Sequence, residues 1–121
     1  MKEEIQLIYN SSHTTDREAY ANLSALDNYA LNEFDIDKNT MTPRQLAELV
    51  DEMNCDLHDL IVDYEDYAAT LKGLSDNDLL STINKNMDLL KTPIVRYKGK
   101  AALMKTPYDA YPIGLEIKSG H

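Results

Sequence analysis

The single cysteine, Cys55, limits the thiol chemistry that this chain of 121 residues can perform. One thiol cannot form an internal disulfide or a Cys-x-x-Cys pair, so redox chemistry by two thiols of the same chain is excluded. Asp51, Glu52 and Asp56 flank Cys55, and nearby carboxylates raise the pKa of a thiol. We therefore expect Cys55 to be a small, buried and unreactive side chain, and we disfavour the alternative of a relocated reactive thiol.

A polar loop over residues 10–14 contains His13, the side chain best suited to proton transfer. Histidine titrates near neutral pH and serves as a general acid, a general base or a metal ligand. The alternative is a partly exposed loop histidine without a chemical role. On the sequence alone we favour this second interpretation.

The start of the helix that follows this loop is a second candidate site. Helix N-termini bind anions through free N–H groups, so Thr14 and Thr15 could form a site for a phosphate or a thiol anion. However, Thr15 and Glu18 match the capping box, in which two side chains of the helix satisfy those N–H groups. Asp16 adds a negative charge at the same place. The sequence therefore predicts a helix end that its own side chains close.

No metal or cofactor site is predicted. His58, Asp59 and Asp63 lie close together in the sequence. However, the histidines His13, His58 and His121 have no known ligand spacing, and transition-metal sites usually need three or four converging ligands. We interpret these residues as solvent-exposed side chains of a helix. The C-terminal tail over residues 115–121 is expected to be disordered.

Composition and charge exclude several classes of function. The formal net charge of −9 opposes binding to nucleic-acid backbones and to anionic lipid surfaces. No apolar run approaches the roughly 18 residues of a membrane span, and the N-terminus lacks the features of a signal peptide. We therefore expect one cytoplasmic domain over residues 1–121. The solvent-exposed face of a hairpin is the expected place of the basic cluster Lys91, Arg96, Lys98, Lys100 and Lys105.

Strands and helices alternate along the chain in the order of an α/β fold. Apolar patterns predict strands over residues 2–9 and 29–36, then a hairpin over residues 91–104 with its turn at 98–100. Helices are predicted over residues 15–26, from a capping box that starts at Thr42, over residues 59–71, after Ser75, and from Thr106. A strand–helix–strand unit is parallel and a hairpin is antiparallel, so these elements predict a mixed four-stranded sheet flanked by helices.

The stretch Leu89–Val95, followed by Gly99 in the hairpin, resembles the arsenate reductase/Spx family of the thioredoxin fold. Weaker likenesses are Ile8-Tyr9-Asn10 before the first helix and Thr42-Pro43 at the start of a helical insertion between strands two and three. The resemblance covers roughly residues 4 to 114. It implies a thioredoxin-like α/β fold with a cis peptide between Thr92 and Pro93, beside the loop that carries the active site.

The chain departs from this family at the residues that perform its chemistry. Active members carry a nucleophilic cysteine before the first helix, where the helix end lowers its pKa. The resemblance places His13 at that position and Asp16 at the position of the second cysteine. It also places Thr92, Val62 and Lys105 or Thr106 at or near the positions of arginines that bind the oxyanion. Because the thiol and most of the positive charge are missing together, arsenate reduction is not expected.

By this resemblance, the chain is a catalytically degenerate relative that acts as a non-redox protein-interaction or regulatory module. Spx-like relatives act by binding RNA polymerase, so a protein partner is expected by analogy. The alternative is a residual oxidoreductase, or a binder of an anion or of a small thiol such as glutathione. Such a ligand would lie in the groove near His13, Thr92 and Pro93.

Tyrosines are the candidate contacts for a protein partner. The chain has eight tyrosines, one phenylalanine and no tryptophan, and tyrosine is enriched at protein interfaces because its ring buries area and keeps a polar tip. The alternative, ordinary packing at the edge of a small core, is slightly favoured. The residues in question are Tyr64, Tyr67, Tyr108 and Tyr111.

Overall fold

A computed structural model describes residues 3–62, 71 and 73–104 of the chain. The strands are β1 (Glu3–Tyr9), β2 (Tyr29–Asp35), β3 (Ile94–Tyr97) and β4 (Lys100–Leu103). The α-helices are α1 (Thr14–Ser24), α2 (Pro43–Met53) and α3 (Asp76–Lys85), and two short 3-10 turns cover Leu57–Leu60 and Met87–Leu89. In the described ranges no helix is long and apolar enough to cross a membrane.

The four strands form one mixed sheet in the order β2-β1-β3-β4. β1 runs parallel to β2 and antiparallel to β3, with Leu7 opposite Val95. β3 and β4 form the antiparallel hairpin, whose turn residues Lys98 and Gly99 both adopt a positive φ. The predicted fold class, a mixed four-stranded sheet flanked by helices, is confirmed.

The alternation of side chains along β1 separates two apolar cores, because neighbouring residues of a strand point to opposite faces of the sheet. The core on the α1 face includes Ile5, Leu7, Tyr9, Leu23, Val95 and Tyr97. The core on the face of α2 and α3 includes Ile8, Leu46, Leu49, Leu79, Ile83 and Ile94. The sheet therefore lies between α1 on one side and the insertion helices on the other.

The predicted start of α2 is confirmed in detail. The hydroxyl of Thr42 accepts a hydrogen bond from the N–H of Gln45 at 3.1 Å, and the Gln45 side chain accepts one from the N–H of Thr42 at 2.9 Å. Pro43 follows the cap at the first helical position, where its missing N–H costs nothing. Ser75 likewise caps α3, as predicted, by accepting from the N–H of Asp78 at 3.2 Å.

The helix predicted over residues 59–71 is wrong in its first part. The 3-10 turn ends at Leu60, and Ile61 is extended and forms an isolated antiparallel bridge with Leu90. Because residues 60–62 find backbone partners in a segment about thirty residues further along the chain, they do not continue as a helix.

Several predictions concern residues outside the described ranges. They are the remainder of the helix over residues 59–71 apart from Leu71, the last short helix from Thr106, and the tail over residues 115–121. The tyrosines named as partner contacts also lie outside. The four described tyrosines form two ring pairs, Tyr9 stacked on Tyr20 with centroids 5.4 Å apart and Tyr29 edge-on to Tyr97 at 5.7 Å.

Candidate functional site

A groove of about 230 Å³ lies beside the start of α1 and the beginning of the hairpin. Among the predicted site residues, His13, Thr92 and Pro93 line it together. Thr14 and Thr15 lie next to His13 in the first turn of α1 but do not line the groove. The other lining residues within the described ranges are Val62, Leu90, Lys91, Leu103 and Met104.

Backbone pairing outside the sheet builds the walls of this groove. The N–H of Val62 donates to the carbonyl of Leu89 at 2.8 Å, and the N–H of Lys91 donates to the carbonyl of Leu60 at 2.7 Å. These bonds hold the segment over residues 60–62 beside the segment that leads to Pro93. On the other wall, the N–H of Met104 donates to the Pro93 carbonyl at 2.9 Å. The Thr92–Pro93 peptide is cis, as the resemblance implied.

Two positions at which the resemblance expects arginines, Val62 and Thr92, both face the groove. One side chain is apolar and the other carries a neutral hydroxyl, so neither supplies a positive charge. Lys91 and His13 are the basic side chains among the described lining residues. Lys105 and Thr106 lie outside the described ranges, so the third position stays a prediction.

Asp16 connects the start of α1 to the Thr92–Pro93 segment. Asp16 is only 1% exposed, whereas the sequence predicted it only as a negative charge at a closed helix end. The Asp16 carboxylate accepts a hydrogen bond from the N–H of Asn10 at 2.8 Å and another from the hydroxyl of Thr92, both on Oδ2. Thr92 thus lines the groove while its hydroxyl is held by the Asp16 carboxylate.

The capping box predicted for α1 is wrong. The N–H of Arg17 bonds to the carbonyl of His13 at 3.1 Å, so the helix starts at Thr14 and His13 takes the capping position. The hydroxyl of Thr15 instead approaches Asp16 at 3.5 Å. We attribute this difference to tertiary contacts. The Asp16 side chain points inward and accepts hydrogen bonds from Asn10 and Thr92, so the first turn is positioned by these bonds and not by a capping box.

The first turn of α1 keeps unpaired backbone donors as a result. His13 makes no side-chain cap bond. In the part of the chain that the structure describes, the N–H groups of Thr14, Thr15 and Asp16 have no hydrogen-bond partner. The guanidinium of Arg17 lies nearby and donates to the Ser11 carbonyl at 2.8 Å and to the Thr14 hydroxyl at 3.1 Å.

Two further carboxylates hold the loop that leads into α1. Asp88 accepts from the side-chain amide of the buried Asn10 at 3.2 Å. Asp35 accepts from the N–H groups of Ser11 and Asp37, each at 3.0 Å. Burial alone would raise the pKa of Asp35, but the hydrogen bonds from Ser11 and Asp37 outweigh it and lower the pKa below its ordinary value.

Cys55 lies in a different region, an open cleft at the end of α2. It is partly buried and packs against the core. Burial first, and then the negative charges of Asp59 and Asp56, raise the pKa of its thiol. The sequence predicted this direction and the contribution of Asp56. It also named Asp51 and Glu52, which do not contribute to the shift, and Glu52 pairs with Arg96 instead.

Arg96 also corrects the prediction of a solvent-exposed basic face on the hairpin. Its guanidinium is partly buried, pairs with Glu52 of α2 and donates to the side chain of Gln6 at 2.8 Å. Lys98 pairs with Glu3 at 3.0 Å. The described part of the chain contains no group of three or more potential metal ligands, and His58 is exposed.

Solved structures with the same architecture include arsenate reductases. An arsenate reductase from Vibrio cholerae superposes with a TM-score of 0.81 at 19% identity, over 93% of this chain and 99% of that one. A Yersinia pestis protein assigned as an arsenate reductase gives a TM-score of 0.73 at 22% identity, over 92% and 99%.

The fold is that of the arsenate reductases. A Bacteroides fragilis protein assigned as related to the ArsC family shares it too, with a TM-score of 0.75 at 15% identity over 93% of this chain and 98% of that one. No model of a known protein family and no curated protein matches the sequence. At these identities the likeness establishes the arsenate reductase fold and leaves the activity to be argued from the site.

The sequence did not predict the residues that make the groove apolar. Leu90, Leu103 and Met104 line it, and in the sequence they are ordinary apolar residues that flank a hairpin. The role of Asn10 was missed as well. A polar residue directly after a buried strand was the available signal, since such a residue must find partners when the strand end is buried.

Proposed function

We propose that this chain is a non-redox binding module that retains the arsenate reductase fold and holds an apolar segment of a protein partner in the groove at His13 and Pro93. The observation that supports the proposal most strongly is the lining of the groove. Five of the eight lining residues that the structure describes are apolar, namely Val62, Leu90, Pro93, Leu103 and Met104. Burial of apolar surface is the dominant favourable term in most protein association.

The size of the groove favours a peptide side chain over a free metabolite. Its volume of about 230 Å³ is below the roughly 300 Å³ at which pockets for small molecules usually begin. One or two apolar side chains of an extended segment would fill such a space. In the described part of the chain the backbone N–H and carbonyl of Thr92 have no partners, so they are available to a neighbouring peptide backbone.

The position of the thiol supports a function without redox chemistry. The only cysteine of the chain lines another cleft, and its pKa is raised by burial and by Asp59 and Asp56. The thiolate is the nucleophile in thiol chemistry, so a reductase that used Cys55 would need a lowered pKa. A role as a cytoplasmic regulator, like the Spx proteins, follows from the resemblance as an analogy.

A second candidate function has its own supporting observation. The unpartnered N–H groups of Thr14 and Thr15, with the Arg17 guanidinium beside them, have the chemistry of an anion site. On this account the chain would bind glutathione or an oxyanion as a remnant of oxidoreductase function. A saturable response of Thr14 and Thr15 to glutathione would favour it.

Amide chemical-shift mapping of labelled protein tests the first proposal. The probe is N-acetyl-leucyl-valine amide, an uncharged apolar dipeptide with blocked ends. We expect saturable shifts at Val62, Leu90 and Leu103, because these residues line the groove. Absence of shifts there at millimolar probe would contradict the proposal.

A pair of matched variants localises the binding. Val62→Asp places a charge in the groove and should abolish the shifts, since an apolar ligand cannot compensate a buried charge. Val50→Asp is the control, because Val50 is also half-buried but lines the Cys55 cleft. Binding that survives Val62→Asp, or that is lost equally in Val50→Asp, would place the ligand elsewhere.

A further inference from the structure

Asp16 is a buried acidic side chain that the proposed binding function does not itself require. It is 1% exposed and belongs to the first turn of α1. A buried charge is retained in a fold only when other groups compensate it. Here the compensation comes from the Asn10 N–H and from the Thr92 hydroxyl.

The start of a helix carries a partial positive charge, and anions bind there for that reason. In this chain the anion is part of the helix itself, because the Asp16 carboxylate lies in the first turn. A second anion at the same place would experience repulsion from Asp16 at short range. The unpartnered N–H groups of Thr14 and Thr15 are therefore a weaker anion site than their geometry alone indicates.

The Thr92 hydroxyl extends this effect into the groove. A hydroxyl has one proton to donate, and Thr92 donates it to Asp16. Thr92 also lines the groove, so its hydroxyl can only accept hydrogen bonds from a molecule bound there. A deprotonated oxygen of an oxyanion or a thiolate sulfur offers no proton to such a hydroxyl, whereas the N–H of a peptide amide does.

We propose that Asp16 determines what binds at the helix start and in the adjoining groove: its charge opposes oxyanions and thiolates at the N–H groups of Thr14 and Thr15 beside the groove, and it sets Thr92 in the groove to accept a hydrogen bond from an uncharged N–H donor. This inference rests on the proposed binding function, because it names the chemistry of the ligand that the same groove takes. Asp16 acts as a positioning residue, through Thr92 and through the charge at the helix start.

Asp16→Asn tests the inference because it keeps the shape of the side chain and removes the charge. The probes are inorganic phosphate and arsenate, followed at the amides of Thr14 and Thr15 in labelled protein. Wild-type protein should show no saturable shift at millimolar anion. The variant should bind at least about tenfold more tightly, since removal of a nearby like charge is typically worth a factor of that order.

Asp88→Asn is the matched control. Asp88 is an exposed acidic residue that bonds to the same loop through Asn10. Its variant therefore tests whether the loss of any nearby negative charge is enough to strengthen phosphate binding. It should leave phosphate binding as weak as in the wild type. A gain in Asp88→Asn as large as in Asp16→Asn would overturn the inference.

If Asp16→Asn folds too poorly for chemical-shift mapping, the melting temperature with and without phosphate measures anion binding instead. A ligand that binds the folded state raises the melting temperature even of a marginal variant. Phosphate should therefore stabilise Asp16→Asn, and also Asp16→Ser, but not the wild type. Phosphate binding by the wild type as tight as by the variants, or no binding by any of them, would overturn the inference.

The dipeptide titration separates this inference from the binding function. If the wild type binds the dipeptide but the Asp16 variants bind phosphate no more tightly than the wild type, the binding function is supported and the role of Asp16 is refuted. If the variants bind phosphate more tightly but the wild type does not bind the dipeptide, the binding function is refuted and the repulsion of anions by Asp16 is supported.

Discussion

The first turns of α1 and α2 begin with the same kind of sequence, a threonine followed three residues later by Glu18 or Gln45. At α2 the two side chains close the helix end between themselves. At α1 the matching side chains make no such bonds, and the first turn is fastened instead by Asp16 to a residue 76 positions away. The contacts at the start of α2 therefore stay within that helix, whereas those at the start of α1 connect it to Thr92, a residue that lines the groove.

This difference links stability to function at α1. A local cap contributes about 1 kcal/mol and can be lost without changing anything beyond its helix. A buried carboxylate that joins a helix to a distant segment fixes two elements at once. The lining residues His13 and Thr92 therefore keep their relative positions because Asp16 holds both of the segments that carry them.

The largest effect is expected for Asp16→Ala compared with Thr42→Ala. Asp16→Ala leaves the Asn10 N–H, which is buried, without its acceptor, and it removes the acceptor of the half-buried Thr92 hydroxyl. An unsatisfied buried polar group costs about 1–3 kcal/mol. Thr42→Ala removes a surface cap and should cost about 1 kcal/mol. Urea unfolding of both variants measures the two free energies. An Asp16→Ala loss smaller than that of Thr42→Ala would erase the distinction between the two helix ends.

An intermediate effect is expected at Asp35, which holds the loop before α1. Because its pKa is lowered in the folded protein, its stabilisation is complete above the ordinary aspartate pKa and is lost as the pH falls through the lower folded value. Asp35→Asn should therefore flatten the acid side of the stability profile between about pH 5 and pH 3. Denaturant midpoints across that range measure it, and parallel wild-type and variant profiles would contradict the expectation.

The smallest effect is expected for Glu18→Ala compared with Gln45→Ala. Gln45→Ala removes a side chain that accepts from the N–H of Thr42 and should cost about 0.5–1 kcal/mol. Glu18 makes no capping bond in the described structure, so its truncation should change the free energy of unfolding by less than about 0.5 kcal/mol. Equal losses in both variants would show that α1 is capped as the sequence predicted.

The same contrast explains how far the sequence could predict this molecule. The capping box of α2 and the strand patterns depend on neighbours in the sequence, and those predictions are confirmed. The resemblance placed His13, Thr92 and Pro93 at one groove, which the structure also brings together. The turn of Asp16 into the interior could not be predicted, because its decisive partner is Thr92, far away in the sequence.

A similar limit applies to the extended segment at Ile61 and Val62. Its apolar residues fit a helix as well as a strand when they are read locally. Only the pairing with Leu89 and Lys91 decides in favour of extended backbone. That pairing places Val62 in the lining of the groove. The apolar lining of the site therefore could not be predicted from local sequence patterns either.

We propose that this chain keeps the arsenate reductase fold without the thiol chemistry of the reductases. The most direct test measures arsenite formed from arsenate in the presence of excess glutathione, with the wild type and Cys55→Ser side by side. We expect both proteins to form arsenite no faster than the protein-free control, because the only thiol lies outside the groove with a raised pKa. Arsenite formation by the wild type that is lost in Cys55→Ser would contradict the claim.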